Sequence, residues 1–173
     1  MRETPLFSQS FCAVSAILLA CGLGAERAGA ESVAQFQEWG LVCSGSECRL
    51  AQTLMSSERV WIATIMLHPH ESRSEGRVAE VFVPPGVHFP SGLFVAAVPD
   101  DYRQAEWVSC VAMACEGVLR LDAEAEAQWR AATVAELRFR PSPTSPVASV
   151  DISLMGVTAG LAALDERQEG RVR

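Results

Sequence analysis

The sequence contains no lysine. All fourteen of its basic residues are arginine, set against twenty-one acids for a net charge of −7. From Arg49 to Arg140 the arginines stand singly among apolar stretches and acids, so there is no basic patch to neutralise phosphates. That argues against nucleic acid and against an anionic membrane surface as partners. No C-x-x-C pair and no G-x-S-x-G elbow is present, which removes the usual signatures of a thiol redox centre and of an exposed serine nucleophile. Histidine is scarce, with three residues, and no apolar run is long enough to span a bilayer as a helix.

What is present begins with an export segment. Met1-Arg2 is followed by an uncharged run from Phe11 to Gly24, the length of a signal h-region. A buried N-terminal helix is the competing reading, but small residues crowd the end of the run and nothing amphipathic follows. Two processing sites compete. Ala28-Gly29-Ala30 is an A-x-A cleavage site, whereas Leu18-Leu19-Ala20-Cys21 has the form of a lipobox that would make Cys21 a lipidated N-terminus. The run continues past Cys21 into a polar stretch with Glu26 and Arg27, which favours cleavage after Ala30. Residues 1–30 are therefore expected to be a signal peptide, and the remaining 143 of 173 residues are enough for one core. The expected destination is the periplasm, with membrane attachment only through the signal or a lipid on Cys21.

Four cysteines remain as two pairs of equal spacing, Cys43 with Cys48 and Cys110 with Cys115. In an exported chain an even count reads as disulfides, and local pairing is favoured among the three connectivities. Ser44-Gly45-Ser46-Glu47 is turn chemistry that lets its flanking cysteines face each other across a hairpin neck. Zinc ligation is the weaker reading, because no histidine lies near either pair in sequence.

Beyond a polar leader from Glu31 to Glu38, short apolar runs alternate with Gly, Pro and Ser, the rhythm of an antiparallel β fold. Arg59 to Leu67 is nearly free of polar residues and predicts a central strand covered on both sides. Arg77 to Val83 and Leu93 to Val98 predict further strands. Ala135, Leu137 and Phe139 alternate with Glu136, Arg138 and Arg140, and Ala148 to Leu154 alternates likewise, as half-buried strands do. The Ala/Glu-rich stretch from Asp122 to Thr133 predicts a short helix with Asp122 as N-cap. Val157, Leu161 and Leu164 recur at helical spacing and predict a second. The expected architecture is mainly β: an antiparallel β-sandwich of two stacked sheets with two short helices over residues 31–164, disulfide-stapled, followed by a disordered tail from Asp165 to Arg173.

The order of landmarks resembles the invasion-associated locus B family of bacterial envelope proteins. The residues that carry it are Trp39-Gly40-Leu41-Val42-Cys43, Cys48 with Gln52, Val83-Pro84-Pro85-Gly86-Val87, Ser91-Gly92-Leu93, Cys110 with Cys115, and Ser153 through Leu161. The sequence departs from the family at Val157, where phenylalanine is usual, and in its lack of lysine. The resemblance implies a non-catalytic β-sandwich of the periplasm or envelope, without cofactor, that binds an envelope or host protein or supports the envelope, with a link to host-cell invasion in some bacteria.

Two constellations stand beside that expectation. His68-Pro69-His70-Glu71 places two imidazoles where an extended segment projects them to one side, so His68 and His70, with His88 as a distant third, are candidate copper or zinc ligands. A solvated loop is the competing reading. Ser109 with Asp100 and Asp101 has the composition of a hydrolase triad but no elbow to expose the serine. Trp39, Trp61, Trp107 and Trp129 are dispersed and read as core or rim.

Overall fold

A computed structural model describes residues 31–70 and 76–172. The export segment, with Cys21 and the Ala30 site, lies outside the described residues, as does Glu71. Among the described residues ten strands form one antiparallel path: β1 (Glu31–Phe36), β2 (Trp39–Ser44), β3 (Glu47–Met55), β4 (Trp61–Leu67), β5 (Arg77–Val83), β6 (Leu93–Ala96), β7 (Arg103–Cys110), β8 (Cys115–Leu121), β9 (Val134–Phe139) and β10 (Ala148–Ser153). Hydrogen-bonded neighbours run β1-β2-β3-β4-β5-β8-β7-β6-β9-β10. The expected two sheets are thus one curled, sandwich-like sheet. The link is β7, whose residues Arg103 to Ala105 pair with β6 while Glu106 to Cys110 pair with β8 across a bulge between Trp107 and Ser109.

Alternation decides which side each strand buries. On β5, Arg77, Ala79, Val81 and Val83 face inward and are buried, while Val78, Glu80 and Phe82 are half-covered on the outer face. β4 departs from expectation. Ala63, Ile65 and Leu67 are buried, but Ile62, Thr64 and Met66 are only half-covered, so it is a one-sided strand of apolar composition. The leader is also more structured than its polarity suggests. It forms β1, because pairing with β2 satisfies its backbone and Ala34 and Phe36 pack against the core.

Two helices close the open side. Helix α1 (Ala123–Ala131) starts at Asp122, whose Oδ1 accepts from the Ala125 amide at 2.8 Å. Helix α2 (Val157–Val172) lies against β1, β2 and β3. It buries Val157, Leu161 and Leu164, each such side chain contributing about 1.5–3 kcal/mol. Its close approach depends on glycine. A Cβ on Gly160 would come within 2.5 Å of Leu50, and one on Gly156, at φ +91°, within 2.0 Å of the Phe36 carbonyl oxygen. In place of the disordered tail expected from Asp165 to Arg173, the helix continues to Val172, since Asp165 and Gln168 bond inward, to Arg77 and to the His70 carbonyl. Trp39 anchors the centre, 6.4 Å from Trp129 between ring centroids and donating Nε1–H to the Ser153 carbonyl at 2.8 Å.

Candidate functional site

The densest polar cluster forms where β5 meets both helices. Arg77 occupies an inward-facing strand position and is fully buried, which obliges its guanidinium to find acceptors. Nη1 donates to the His68 carbonyl at 2.7 Å, Nη2 to Asp165 at 2.9 and 3.1 Å, and Nε to Glu126 Oε2 at 3.3 Å. Glu126 Oε1 accepts twice more from Arg130, at 2.6 and 2.9 Å. Burial pushes the Glu126 carboxyl up, but hydrogen bonds and charge from Arg130 and Arg77 outweigh it and hold the group below its ordinary value. His70, Arg130 and Asp165 line a cleft of about 460 Å³ beside it. Two guanidiniums face two carboxylates, and Glu126 stays ionised at neutral pH. This is the chemistry of a lock between β5, α1 and α2, and the depressed Glu126 carboxyl is poorly suited to give up a proton as an acid at neutral pH.

The metal candidates do not converge. β4 ends at Leu67, so His68 and His70 no longer share a strand face. His68 Nε2 stands 2.8 Å from Glu80 Oε2 on the outer face of β5, whereas His70 Nε2 stands 2.9 Å from Glu126 Oε2 at α1. The hydrogen bond with His68 holds the Glu80 carboxyl below its ordinary value against its partial burial. His88 Nδ1 is 2.8 Å from Ser91 Oγ within a 3-10 turn, Phe89–Ser91. Among the described residues no group of three or more His, Cys, Asp or Glu side chains is placed to hold a metal ion. The copper or zinc reading on His68 and His70 is therefore unsupported. Ser109 donates to Glu116 at 3.1 Å, while Asp101 accepts from Gln128 at 3.2 Å, so the triad composition does not assemble either.

The two disulfides join Cys43 to Cys48 and Cys110 to Cys115. Each couples directly opposed residues at a hairpin neck, β2–β3 in one case and β7–β8 in the other. The frames match but the tips differ. The first tip is Ser44-Gly45-Ser46-Glu47, the second Val111-Ala112-Met113-Ala114. On the second, Met113 is 81% exposed, Val111 64% and, on the flanking strand, Val108 60%. Phe89 is also exposed and packs edge-on against Trp107 of β7 at 4.9 Å. The tip is absent from the sequence-based candidates, and its signal is four apolar residues where turn chemistry is otherwise polar.

Fold and site together define a small, curled antiparallel β domain, clasped by two helices and stapled at two hairpin necks. The chain belongs to the invasion associated locus B (IalB) family, whose family model matches residues 39–165. Among solved structures it is similar to the crystal structure of invasion associated protein B from Bartonella henselae. That match has a TM-score of 0.70 at 15% identity and covers 79% of this chain and 97% of the other. At that identity the likeness is one of fold. No curated protein matches the chain.

Proposed function

We propose that this protein is exported to the cell envelope and acts there without catalysis, by holding an envelope or host protein against the stapled apolar tip of β7–β8. The observation that carries the reading is the exposure of Val111 and Met113 on a turn fixed by Cys110–Cys115, with Val108 exposed on the strand that leads into it. A solvated turn gains nothing from such residues, and a rigid one loses little conformational entropy on binding. A protein partner fits better than a lipid surface. Glu106 and Glu116 flank the tip and the net charge is −7, which disfavours approach to anionic headgroups. Family membership supports the envelope setting. Among the described residues no helix is long and apolar enough to cross a membrane.

The test compares Val111→Asp with Met113→Asp, combined, against a control change on the polar tip, Ser46→Asp. Envelope proteins cross-linked to the wild type and to the control, but absent with the tip variant, are the expected result. An unchanged cross-linking pattern, or adsorption of the wild type to neutral phosphatidylcholine vesicles, overturns the reading. Release of the protein by osmotic shock checks the location.

A further inference from the structure

We propose that the outer face of β6 and β9 carries a ligand site for a small apolar carboxylate, with Arg140 as its anion-binding group. The proposal is independent of the stapled tip. Arg140 follows β9 on the solvent side of the alternation, yet it is partly buried. Among the described residues its side chain makes one hydrogen bond, from Nη1 to the Ser145 carbonyl at 3.2 Å. Its Nε is screened from solvent and has no acceptor among the described residues. Other covered arginines have acidic partners: Arg77 with Glu126 and Asp165, Arg103 with Asp122, Arg130 with Glu126. Among the described residues no carboxylate pairs with Arg140, while Arg59, Arg120 and Arg167, also unpaired, are exposed. A partly covered guanidinium with donors to spare calls for an anion, and a carboxylate matches its planar fork.

The surroundings specify the rest of the ligand. Ser91, Phe94, Tyr102, Arg138, Arg140 and Val147 line a cleft of about 350 Å³, at the small end of ligand sites. Its apolar floor depends on glycine, because the Phe94 ring lies across Gly92, where a Cβ would meet Cε2 at 2.5 Å. Arg138 forms one wall, with its guanidinium 4.2 Å from the centroid of the Tyr102 ring and its Nε 2.9 Å from Glu136 Oε1. Glu136 is itself occupied, accepting also from Tyr102 and Ser149. A neighbouring carboxylate and a largely apolar lining disfavour phosphate or any polyanion. They select one negative charge on an aromatic or aliphatic body.

The purified protein is titrated with 4-phenylbutyrate, using 4-phenylbutanamide and acetate as probes of the charge and of the apolar body, and read by calorimetry or saturation-transfer NMR. The expected result is a Kd of about 1 mM or tighter for phenylbutyrate, with both control compounds weaker by about tenfold or more. Arg140→Gln is expected to weaken phenylbutyrate by about tenfold or more. Val147→Glu, at an exposed position lining the same cleft as Arg140, supplies a competing carboxylate without touching the core, and should do the same. No saturable binding below about 10 mM, equal affinity for the amide or for acetate, or unchanged affinity in folded Arg140→Gln or Val147→Glu protein overturns the proposal.

Discussion

A chain ending at Leu164 should be measurably less stable than the full one, and the size of the loss follows from Arg77. Removing residues 165–173 takes away Asp165, which holds Nη2 of a fully buried guanidinium at 2.9 and 3.1 Å, and Gln168, which donates to the His70 carbonyl at 2.7 Å. The Asp165 side chain is 35% exposed, so its Coulombic share is discounted for solvent screening. What remains is the cost of leaving a buried charged donor without its acceptor, about 1–3 kcal/mol. Asp165→Ala alone should therefore cost about 2 kcal/mol and lower Tm by about 6–8 °C in a domain of this size.

The decisive measurement is a double-mutant cycle with Arg77→Met, read by urea unfolding with the disulfides intact and tryptophan fluorescence as the signal. Arg77→Met should cost about 3 kcal/mol, because the His68 carbonyl loses its donor and Glu126 keeps only Arg130 and His70. In that background Asp165→Ala orphans no buried guanidinium and loses only the long, partly exposed contact with Arg130 at 3.8 Å, so it should cost below about 0.5 kcal/mol, a coupling of about 1.5 kcal/mol. Equal costs of Asp165→Ala in both backgrounds, or a chain ending at Leu164 as stable as the full one, would refute the reasoning and restore residues 165–173 to the status of a tail.

Stability should also fall in acid. Glu126 and Glu80 have folded values below their ordinary 4.5, so the stability they contribute is complete above that value and is lost as pH drops through the depressed ones. A plot of Tm against pH should be flat from neutral to about pH 5 and decline below about pH 4, and a Glu80→Gln protein should show a shallower decline. Gln52, buried on β3, has an Oε1 with no hydrogen-bond partner among the described residues. Gln52→Met should raise the urea midpoint by an amount worth about 1 kcal/mol, and a drop would show that the amide has a partner after all. Replacing Cys43 and Cys48 together by alanine should leave a folded protein of lower Tm, with a loss of about 2 kcal/mol or less, because the closed loop is short. A peptide map linking Cys43 or Cys48 to Cys110 or Cys115 would contradict the local pairing.

Features fixed within a few residues were legible in the sequence. β5 runs from Arg77 to Val83 and stops before Pro84-Pro85-Gly86, as proline and glycine dictate, and α1 is capped by Asp122 because cap chemistry is local. What escaped depends on partners far along the chain. Eighty-eight positions separate Arg77 from Asp165, so a run of charged residues after Leu164 reads as a tail until β5 and α2 are placed side by side. One signal was available, since Arg77 stands in the inward register of a strand whose other inward residues are Ala79, Val81 and Val83. β1 was missed for a related reason. An edge strand needs only half its side chains covered, and Gln35, Gln37 and Glu38 dilute the pattern of Ala34 and Phe36. The Arg140 cleft required the β6–β9 pairing, which joins strands far apart in sequence and sets Phe94 opposite Arg138.

The 3-10 turn at Phe89–Ser91 gives these surfaces a common border. Phe89 packs against Trp107, one residue from exposed Val108, while Ser91 lines the Arg140 cleft and holds the His88 ring. The backbone of the same segment is tied to β9, with the His88 amide donating to the Arg140 carbonyl at 2.9 Å. Its conformation is thus set from both sides, by an aromatic contact toward the stapled hairpin and by a main-chain bond toward the arginine. Any ligand that shifts Ser91 or the Arg140 backbone must work against that bond, and the displacement reaches Phe89 within two residues.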